Sequence, residues 1–381
     1  MAPDIFAAEK NLEMRADEHM TKGRRKVLTY LPIIFSVTVL VKALLLLILC
    51  PAFISCSEDI EPDPEDSGTP ADNAAAADIL LLRSPLAAGV LDVFCFNDDK
   101  LRKLDSYQRI TTTEEPDRVE VASGSGGIIM DVIANSPLTP EDCGSVFSYD
   151  DILKLHSELV NDNPERPVMT GECRIGPGFG RECRITLEPI LACISVNSIC
   201  CDFHKRPYKD ATLKNVSFYL TNISRRYPFF GPEPEAPAGI LNYGGQNQED
   251  IELFTEPGMI RSGTIPEVGT SVIYPDIRLY CYPNRCPEES LGCPFTRLVI
   301  EGELDGEKTW YPININRGLL PAGTSSGYGT SGPERNHTYT YDITITRKGV
   351  SDPDIAFSLD GISCSFSVTP WETRPGRTIP Y

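Results

Sequence analysis

The chain has 381 residues and a formal net charge of −19 at pH 7, and its composition limits what it can do. Residues 1–55 contribute +2 to that charge, so the remaining residues carry −21. A polyanion of this size repels nucleic-acid phosphates, which excludes nucleic acid as a partner. The 32 prolines and 29 glycines interrupt the chain too often for long helices. The short stretches between them are rich in β-branched and aromatic residues, which predicts an all-β protein.

The first predicted element is an export signal over residues 1–55. A basic cluster at residues 22–26 precedes an apolar run that ends in small residues, which is the order of an export signal. Residues 1–19 resemble neither a signal nor a fold, so Met20 is a candidate true start. Phe53-Ile54-Ser55-Cys56 resembles a bacterial lipobox, and this implies cleavage before Cys56 and lipid attachment to its thiol. Acyl chains contribute about 0.8 kcal/mol per buried methylene, so two or three hold a soluble domain on a membrane.

A single transmembrane anchor from Val27 to Leu49 is the alternative interpretation of the apolar run. The run is long enough, since about 20 apolar residues cross a bilayer. Lys42 lies within it at a cost of roughly 2.5–3.5 kcal/mol at a helix centre, which favours the lipoprotein. The acidic stretch Ser57–Glu61 resembles the tag that directs lipoproteins of Bacteroidetes to the outer face of the outer membrane. Residues 56–77 as a whole are predicted to be an acidic tether that forms no core.

An N-terminal β-sandwich domain is predicted over residues 78–226. Its strands are expected in short apolar or alternating runs, at residues 91–96, 118–121, 127–134, 186–196 and 215–223. The glycine-rich stretch 123–127 is expected to be a hairpin turn, since no Lys-Ser/Thr follows it to bind a phosphate. One helix is expected from Asp151 to Val160, with Ser148 as its N-cap and an apolar face at spacing three to four.

A proline-rich joint over residues 227–239 is predicted to separate this domain from a C-terminal β-sandwich over residues 240–381. Asp305-Gly306 between two strand-like runs indicates a type I′ hairpin. The last two predicted strands alternate cleanly between an apolar face and a hydroxyl-rich face. Two such apolar faces packed together form a β-sandwich.

The cysteines and histidines do not form a recognisable reactive site. Eleven cysteines remain after Cys50 and Cys56 are set aside, so at least one must be unpaired within the chain. The spacing of Cys281, Cys286 and Cys293 matches no zinc site, which favours a disulfide or plain burial. Histidines are scattered, and the sequence contains no nucleophile or metalloprotease motif. We therefore expect neither a cofactor nor a metal, and no enzyme activity.

A family resemblance appears near the C-terminus. The stretch from Arg335 to Tyr339, followed by Asp342–Gly349 and Asp352–Asp354, resembles the penultimate strand of the Bacteroidetes fimbrillins, the type V pilins with their tip and anchor relatives. Shorter stretches are similar to other strands of that family, at residues 91–98, 218–222, 310–314 and 368–372. The likeness covers most of residues 85–381 through short motifs.

This resemblance implies two tandem transthyretin- or Ig-like sandwiches and assembly by strand donation. A sandwich that lacks one strand has unpaired backbone groups and an apolar groove, which a strand from another subunit fills. The candidate removable strand consists of Ile79, Leu80, Leu81 and Leu82. In polymerising relatives a protease cuts after an Arg near this place, which points to Arg83 and a new start at Ser84. The alternative is a permanent first strand, as in an anchor subunit.

The C-terminal candidate is either a donor strand or an ordinary edge strand, and its inward residues are Ile362, Cys364, Phe366 and Val368. The resulting prediction is a fimbrial tip or anchor subunit on the outer membrane, whose partners are other fimbrial subunits and a host or bacterial surface ligand. The alternative is a surface glycan-binding lipoprotein. Its aromatic platform would consist of Tyr280, Tyr282, Trp310 and Tyr311, which core packing also explains.

Overall fold

A computed structural model describes residues 78–84, 88–111, 118–245, 257–317, 332–355 and 362–371 of the chain. The predicted lipidation at Cys56, the alternative membrane anchor at Val27–Leu49 and the tether at 56–77 lie outside these residues. No helix within the described ranges is both long and apolar enough to cross a membrane.

Two facing sheets form the N-terminal part of the fold. The first sheet has the order β4-β1-β8 and consists of β1 (Asp78–Arg83), β4 (Arg118–Val121) and β8 (Glu182–Thr186). The second sheet has the order β3-β2-β5-β7-β9 and consists of β2 (Val90–Asn97), β3 (Leu104–Thr111), β5 (Ile128–Ala134), β7 (Met169–Ile175) and β9 (Glu188–Pro189). Pairing within the second sheet is antiparallel throughout.

The central strands of the second sheet are apolar because both of their faces are covered. Leu91 and Val93 of β2 pack in the core shared with β1, whereas Phe94 and Phe96 contribute to a larger core on the other side. Strand β5 is buried at every position. Strands buried on both faces read as nearly continuous apolar runs, so the prediction of central strands here is confirmed.

Two four-stranded sheets form the rest of the fold. One has the order β15-β10-β18-β19 and consists of β10 (Ala192–Cys201), β15 (Ile277–Cys281), β18 (His337–Ile345) and β19 (Ile362–Pro370). The other has the order β14-β11-β16-β17 and consists of β11 (Leu213–Thr221), β14 (Ile265–Val268), β16 (Arg297–Leu304) and β17 (Glu307–Asn314). Apolar side chains from both sheets share one core.

A small fifth sheet has the order β13-β12-β6 and joins strands from both parts. It consists of β6 (His156–Glu158), β12 (Ile223–Pro228) and β13 (Ala238–Leu241). The described residues are therefore predominantly β-strand, and the predicted all-β sandwich class is confirmed.

The alternating C-terminal strands and the hairpin agree with prediction. In β18 the side chains of Tyr339, Tyr341, Ile343 and Ile345 are all buried. Strands β16 and β17 pair from Arg297 to Leu304, and Asp305 and Gly306 have φ angles of 55° and 79°. Positive φ at both central residues is the requirement of a type I′ turn, which Asp-Gly meets at low cost.

The predicted helix over residues 151–160 is wrong. The structure instead has two short helices, α1 (Pro140–Gly144) and α2 (Tyr149–Ile152), followed by β6 and a 3₁₀ turn at Leu159–Asn161. Strand β6 pairs with β12, so tertiary pairing outweighs the helical spacing of the apolar residues. The hydroxyl of Ser148 donates to the Asp151 carboxylate at 2.8 Å and makes no capping bond to the helix backbone.

Two further expectations need correction. The glycine-rich stretch 123–127 is not a hairpin turn, because it leads from β4 in one sheet to β5 in the facing sheet. The predicted strand 186–196 is three separate strands, since β8, β9 and β10 lie in three different sheets. Residues 192–221 pair with strands from the C-terminal side of the predicted joint, although the predicted N-terminal domain extends to residue 226. The division into domains itself stays a prediction.

The described cysteines include two disulfides, Cys173–Cys183 and Cys286–Cys293. Cys281 is a buried free thiol, so burial and a disulfide together account for the three cysteines near residue 286, as expected. Cys95 and Cys193 are buried, as their positions in apolar strands suggest. No group of His, Cys, Asp and Glu side chains that could hold a metal ion occurs in the described ranges.

Candidate strand-exchange site

Strand β1 is the hydrogen-bonded link between its two neighbours. It runs antiparallel to β4, where Asp78 lies opposite Val121, and parallel to β8, where Arg83 lies opposite Thr186. Neither β4 nor β8 pairs with any other described strand. Without β1, both neighbours would therefore lose their ladder partner and each would have an open edge. Unpaired strand edges are templates for pairing with another chain.

The side chains of β1 fill a slot in the N-terminal core. Leu80 is fully buried and belongs to the apolar cluster that lies between the two facing sheets. Leu82 is partly buried and packs against the same cluster, whereas Ile79 and Leu81 are half-buried on the other face. Complete burial of a leucine side chain contributes about 1.5–3 kcal/mol. The predicted removable residues Ile79–Leu82 therefore form a strand that occupies a groove.

A buried ion pair fixes the beginning of β1. Asp78 is 2% exposed, and its carboxylate accepts hydrogen bonds from Arg181 Nη2 at 2.6 Å and from Arg181 Nε at 3.1 Å. The backbone N–H of Arg181 donates to Asp78 Oδ1 at 2.9 Å, and the Ser123 hydroxyl also donates to this carboxylate. Four donors thus converge on one carboxylate. Hydrogen bonds between ionised groups of this kind are roughly twice as strong as neutral ones.

The guanidinium of Arg181 is held by two loops as well as by Asp78. Its Nη1 donates to the carbonyls of Gly126 at 2.6 Å and Gly176 at 2.7 Å, and its Nη2 donates to the Gly124 carbonyl at 2.8 Å. These carbonyls belong to the loops on either side of β1, so they orient the guanidinium toward the position of Asp78. A planar fork of donors is suited to carboxylate binding.

This network determines the charge state of Asp78. Burial raises the pKa of Asp78, but hydrogen bonds from Arg181 and Ser123 and the positive charge of Arg181 lower it more, so the pKa lies below its ordinary value. Asp78 is therefore ionised at neutral pH. The sequence does not reveal this pair, because Asp78 and Arg181 are 103 residues apart and no short motif contains both.

The Cys173–Cys183 disulfide lies beside this groove. It joins β7 in one sheet to β8 in the facing sheet, and Cys183 lies opposite Leu80 in the β1–β8 register. The same two strands approach closely at Gly171, where an added Cβ would lie 2.7 Å from the Thr186 carbonyl oxygen. Only glycine permits this approach without displacing β8. Strand β8 is therefore attached to the facing sheet independently of β1.

The predicted processing residues lie at the end of β1. Arg83 is the last residue of the strand, and the hydroxyl of Ser84 donates to the Met169 sulfur at 3.3 Å. Residues 85–87 lie outside the described ranges. Cleavage after Arg83 stays a prediction.

The C-terminal candidate strand, β19, lies at the edge of its sheet. All nine of its residues pair with β18, from His337↔Pro370 to Ile345↔Ile362, and β18 is its sole partner among the described strands. Ile362, Cys364, Phe366 and Val368 face the core side, and Phe366 stacks on Tyr341 at 5.5 Å between ring centroids. Three of these four are only partly buried. Exposed serines alternate with them.

The aromatic residues proposed for glycan binding do not form a platform. Tyr282 and Tyr311 are fully buried in the core. Tyr280 in β15 packs on Trp371 at 5.4 Å between ring centroids, whereas Trp310 in β17 donates its indole N–H to Glu301 at 3.1 Å. Strands β15 and β17 belong to different sheets. Core packing therefore accounts for Tyr282 and Tyr311, whereas Tyr280 and Trp310 are half-buried and lie in separate sheets.

Comparison with known proteins identifies the fold. No protein-family model and no curated protein matches the sequence. The structure is similar to a fimbrilin from Porphyromonas gingivalis W83, with a TM-score of 0.56 and 15% identity over 78% of this chain and 98% of that one. It is also similar to a protein from Parabacteroides distasonis that is assigned to cell adhesion, with a TM-score of 0.54 and 15% identity over 80% of this chain and 94% of that one.

A second protein assigned to cell adhesion, from Bacteroides eggerthii, matches with a TM-score of 0.53 and 14% identity over 78% of this chain and 97% of that one. Nearly the whole length of each solved structure is covered, so the likeness extends across both halves of the fold. The chain therefore has the fimbrillin fold, as its sequence resemblance implied. At these identities the likeness establishes the fold, and function must be argued from the site.

Proposed function

We propose that the chain is a subunit of a surface fimbrium that assembles by strand exchange, with the groove of β1 as the acceptor. The observation that carries this proposal is the position of β1, which alone pairs with both β4 and β8 among the described strands. Departure of this one strand leaves two open edges and the slot of a fully buried leucine. A strand from another subunit can satisfy both the backbone groups and the apolar slot.

The N-terminal signal supplies the route to the cell surface. Lipidation at Cys56 attaches the chain to the outer membrane, and the tether lets the folded part stand away from it. Two states then differ only in the fate of β1. A chain cut between Arg83 and Ser84 accepts a strand and is incorporated into the fibre. An uncut chain retains β1 and its lipid, so it serves as the anchor, whereas a tip subunit is a cut chain at the far end of the fibre.

The donor is proposed to be β19. An edge strand can leave its sheet without separating two neighbours, because it pairs on one side only. Its partly buried apolar residues lose less contact on leaving than fully buried ones do. We also propose that the domain boundary lies between β9 and β10, at residues 190 and 191, since β9 belongs to the N-terminal sheet and β10 to the C-terminal one.

The test of this function is the mature N-terminus together with the assembly state. Surface-shed material and whole outer membranes are isolated separately, and the N-terminus in each is determined by mass spectrometry. A start at Ser84 in fibres or an acylated Cys56 in membranes supports the proposal. Purified chain cleaved after residue 83 should form multimers, whereas the uncleaved chain should stay monomeric. Cleaved chain that loses β1 and still remains monomeric at high concentration contradicts the proposal.

A further inference from the structure

We propose that the acceptor groove selects a strand with a carboxylate two residues before a large apolar residue, and that Arg181 recognises the carboxylate. We assign residues 360–364 of a second copy of the chain as the strand that binds in this groove. This inference rests on the proposed exchange of β1 and specifies what can replace it.

Arg181 is part of the groove, so its positive charge stays in the groove when β1 is removed. Its side chain is 10% exposed, and the loop carbonyls of Gly124, Gly126 and Gly176 hold the guanidinium in place. When Asp78 departs, Nε and part of Nη2 are left without an acceptor. A buried guanidinium without its counter-charge is strongly destabilising. The groove is therefore most stable when an incoming strand supplies a carboxylate at the position of Asp78.

The four converging donors also exclude the neutral isostere. Asparagine has the shape of aspartate, but its NH₂ group is itself a donor. At this position it would point a donor at Arg181 or Ser123, both of which donate to Asp78 in the structure. An asparagine strand thus loses the ion pair and adds a donor–donor contact, so the discrimination is larger than loss of charge alone.

The apolar slot fixes the spacing of the recognised strand. Leu80 comes two residues after Asp78 on the same face of β1, is fully buried, and lies opposite Val119 and Cys183. Leu82, two residues further, packs against the same core. An occupant in this register therefore needs a carboxylate, then a large apolar residue at the second position, then a smaller or partly covered apolar residue at the fourth.

The chain contains this pattern at its own C-terminal candidate strand. The sequence Asp360-Gly361-Ile362-Ser363-Cys364 has a carboxylate followed by apolar residues at the second and fourth positions. Ile362 and Cys364 lie on the apolar face of β19, so the strand already presents these residues on one side. A second copy of the chain offers Ile362 for the slot of Leu80 and Asp360 for Arg181.

The experiment uses the full chain with a site-specific protease sequence in place of residues 85–87. After cleavage, fluorescent peptides are added in excess and their incorporation is followed by anisotropy. The peptides copy residues 76–83 and residues 358–370, each with its aspartate and with Asp78→Asn or Asp360→Asn. We expect both aspartate peptides to be incorporated, and the asparagine peptides to bind about a hundredfold more weakly, which corresponds to loss of one buried charge pair.

The outcomes separate the inference from the proposed function. If the 76–83 peptide is not incorporated at all, strand exchange at this groove fails and the inference with it. If the aspartate and asparagine forms are incorporated equally, exchange stands and selection by Arg181 is overturned. If the 76–83 peptide shows the preference but the 358–370 peptide is not incorporated, the second copy is overturned as the occupant.

Variants of the protein locate the preference. Arg181→Gln should remove the difference between the aspartate and asparagine peptides, and Ser123→Ala should reduce it if Arg181→Gln does not fold. Glu182→Gln is the matched control, because Glu182 is the next residue in the chain but is exposed and pairs with Arg184. This control should leave the preference unchanged. An equal loss in the Glu182→Gln variant would assign the preference to general charge and contradict recognition by Arg181.

Discussion

The first and last described strands, β1 and β19, occupy opposite kinds of position in their sheets. Strand β1 is the centre of a three-stranded sheet and separates β4 from β8, whereas β19 is the edge of a four-stranded sheet and pairs with β18 alone. Removal of β1 divides its sheet, and removal of β19 shortens its sheet by one strand. In the proposed exchange, this difference makes the site of β1 suited to accept a strand and makes β19 suited to be donated.

The two strands are also held by different forces. A buried ion pair and a fully buried leucine fix β1. Strand β19 makes no ion pair through any of its described residues, and it is held by nine backbone pairings and partly buried side chains. Backbone pairing is indifferent to sequence, whereas a buried charge accepts only its complement. In the proposed exchange, specificity therefore resides in the groove, and the donor strand has to match it.

The largest expected effect is on the ion pair of β1. Asp78→Ala leaves the Arg181 guanidinium buried without its counter-charge, so the free energy of unfolding should fall by about 3–5 kcal/mol. Asp150→Ala is the matched control, since its ion pair with Arg102 is 70% exposed on the carboxylate side and should contribute at most about 1 kcal/mol. Urea denaturation of both variants measures the difference. Equal losses of unfolding free energy in the two variants would mean that the buried ion pair of β1 contributes no more than an exposed one.

Apolar truncation tests the same contrast without charge. Leu80→Ala removes a fully buried side chain from the N-terminal core and should cost about 2–5 kcal/mol. Phe366→Ala on β19 removes a larger but partly exposed ring, and we expect it to cost less than Leu80→Ala. Thermal and urea unfolding of the two variants provide the measurement. A larger loss for Phe366→Ala would place the tighter core at β19 and reverse the comparison.

The two disulfides offer a smaller and more specific comparison. Their loops are of similar length, with separations of 10 and 7 residues, so each should stabilise the chain by about 2–3 kcal/mol. Only Cys173–Cys183 attaches β8, a wall of the groove, to the facing sheet. Replacing both cysteines of this pair by serine should accelerate the release of β1 from protein cleaved at residues 85–87.

The same replacement at Cys286 and Cys293 should leave that release rate unchanged, because neither cysteine lies in the sheet of β1. The release of a fluorescent β1 peptide, followed by anisotropy, measures both rates. Identical rates in the two variants would show that the groove keeps its shape through packing alone.

The sequence predicts this fold well where one continuous pattern of apolar and polar residues corresponds to a single strand. Strands β18 and β19 and the Asp305-Gly306 hairpin follow directly from alternation and turn chemistry. The pattern fails at residues 151–160, because β6 is imposed by its distant partner β12. It also fails at 186–196, where one apolar run serves three sheets. The spacing of apolar residues indicates which face of a segment is apolar, but it does not indicate which other element packs on that face.

The candidate site divides in the same way. The apolar residues of β1 and the alternation of β19 can be predicted, since each lies within a short segment. The parallel pairing of β1 with β8 and the contact of Asp78 with Arg181 join segments about a hundred residues apart. No local physical rule links them, so the ion pair on which the proposed specificity rests becomes visible only in three dimensions.

The smallest expected effect, and the finest contrast, is in the pH dependence of stability. Burial raises the pKa of Asp162 to about 6, although hydrogen bonds from Val168, Asn163 and Tyr282 oppose this shift. The pKa of Asp78 is instead lowered from 3.8, because the Arg181 and Ser123 contacts together outweigh burial. For Asp78 the unfolded chain binds the proton more tightly, so its stabilisation is present above about pH 4 and is lost as the pH falls through the folded pKa.

For Asp162 the folded chain binds the proton more tightly, so stability decreases as the pH rises from about 4 to about 6. Asp162→Asn should therefore flatten the stability profile between pH 4 and pH 6, and Asp78→Asn should flatten it below pH 4. Urea unfolding of the parent and both variants from pH 3 to pH 7 measures these slopes. An unchanged acid limb in Asp78→Asn would mean that Asp78 has the same pKa in the folded and the unfolded chain, so that Arg181 does not stabilise its charge, and recognition by charge would then be untenable.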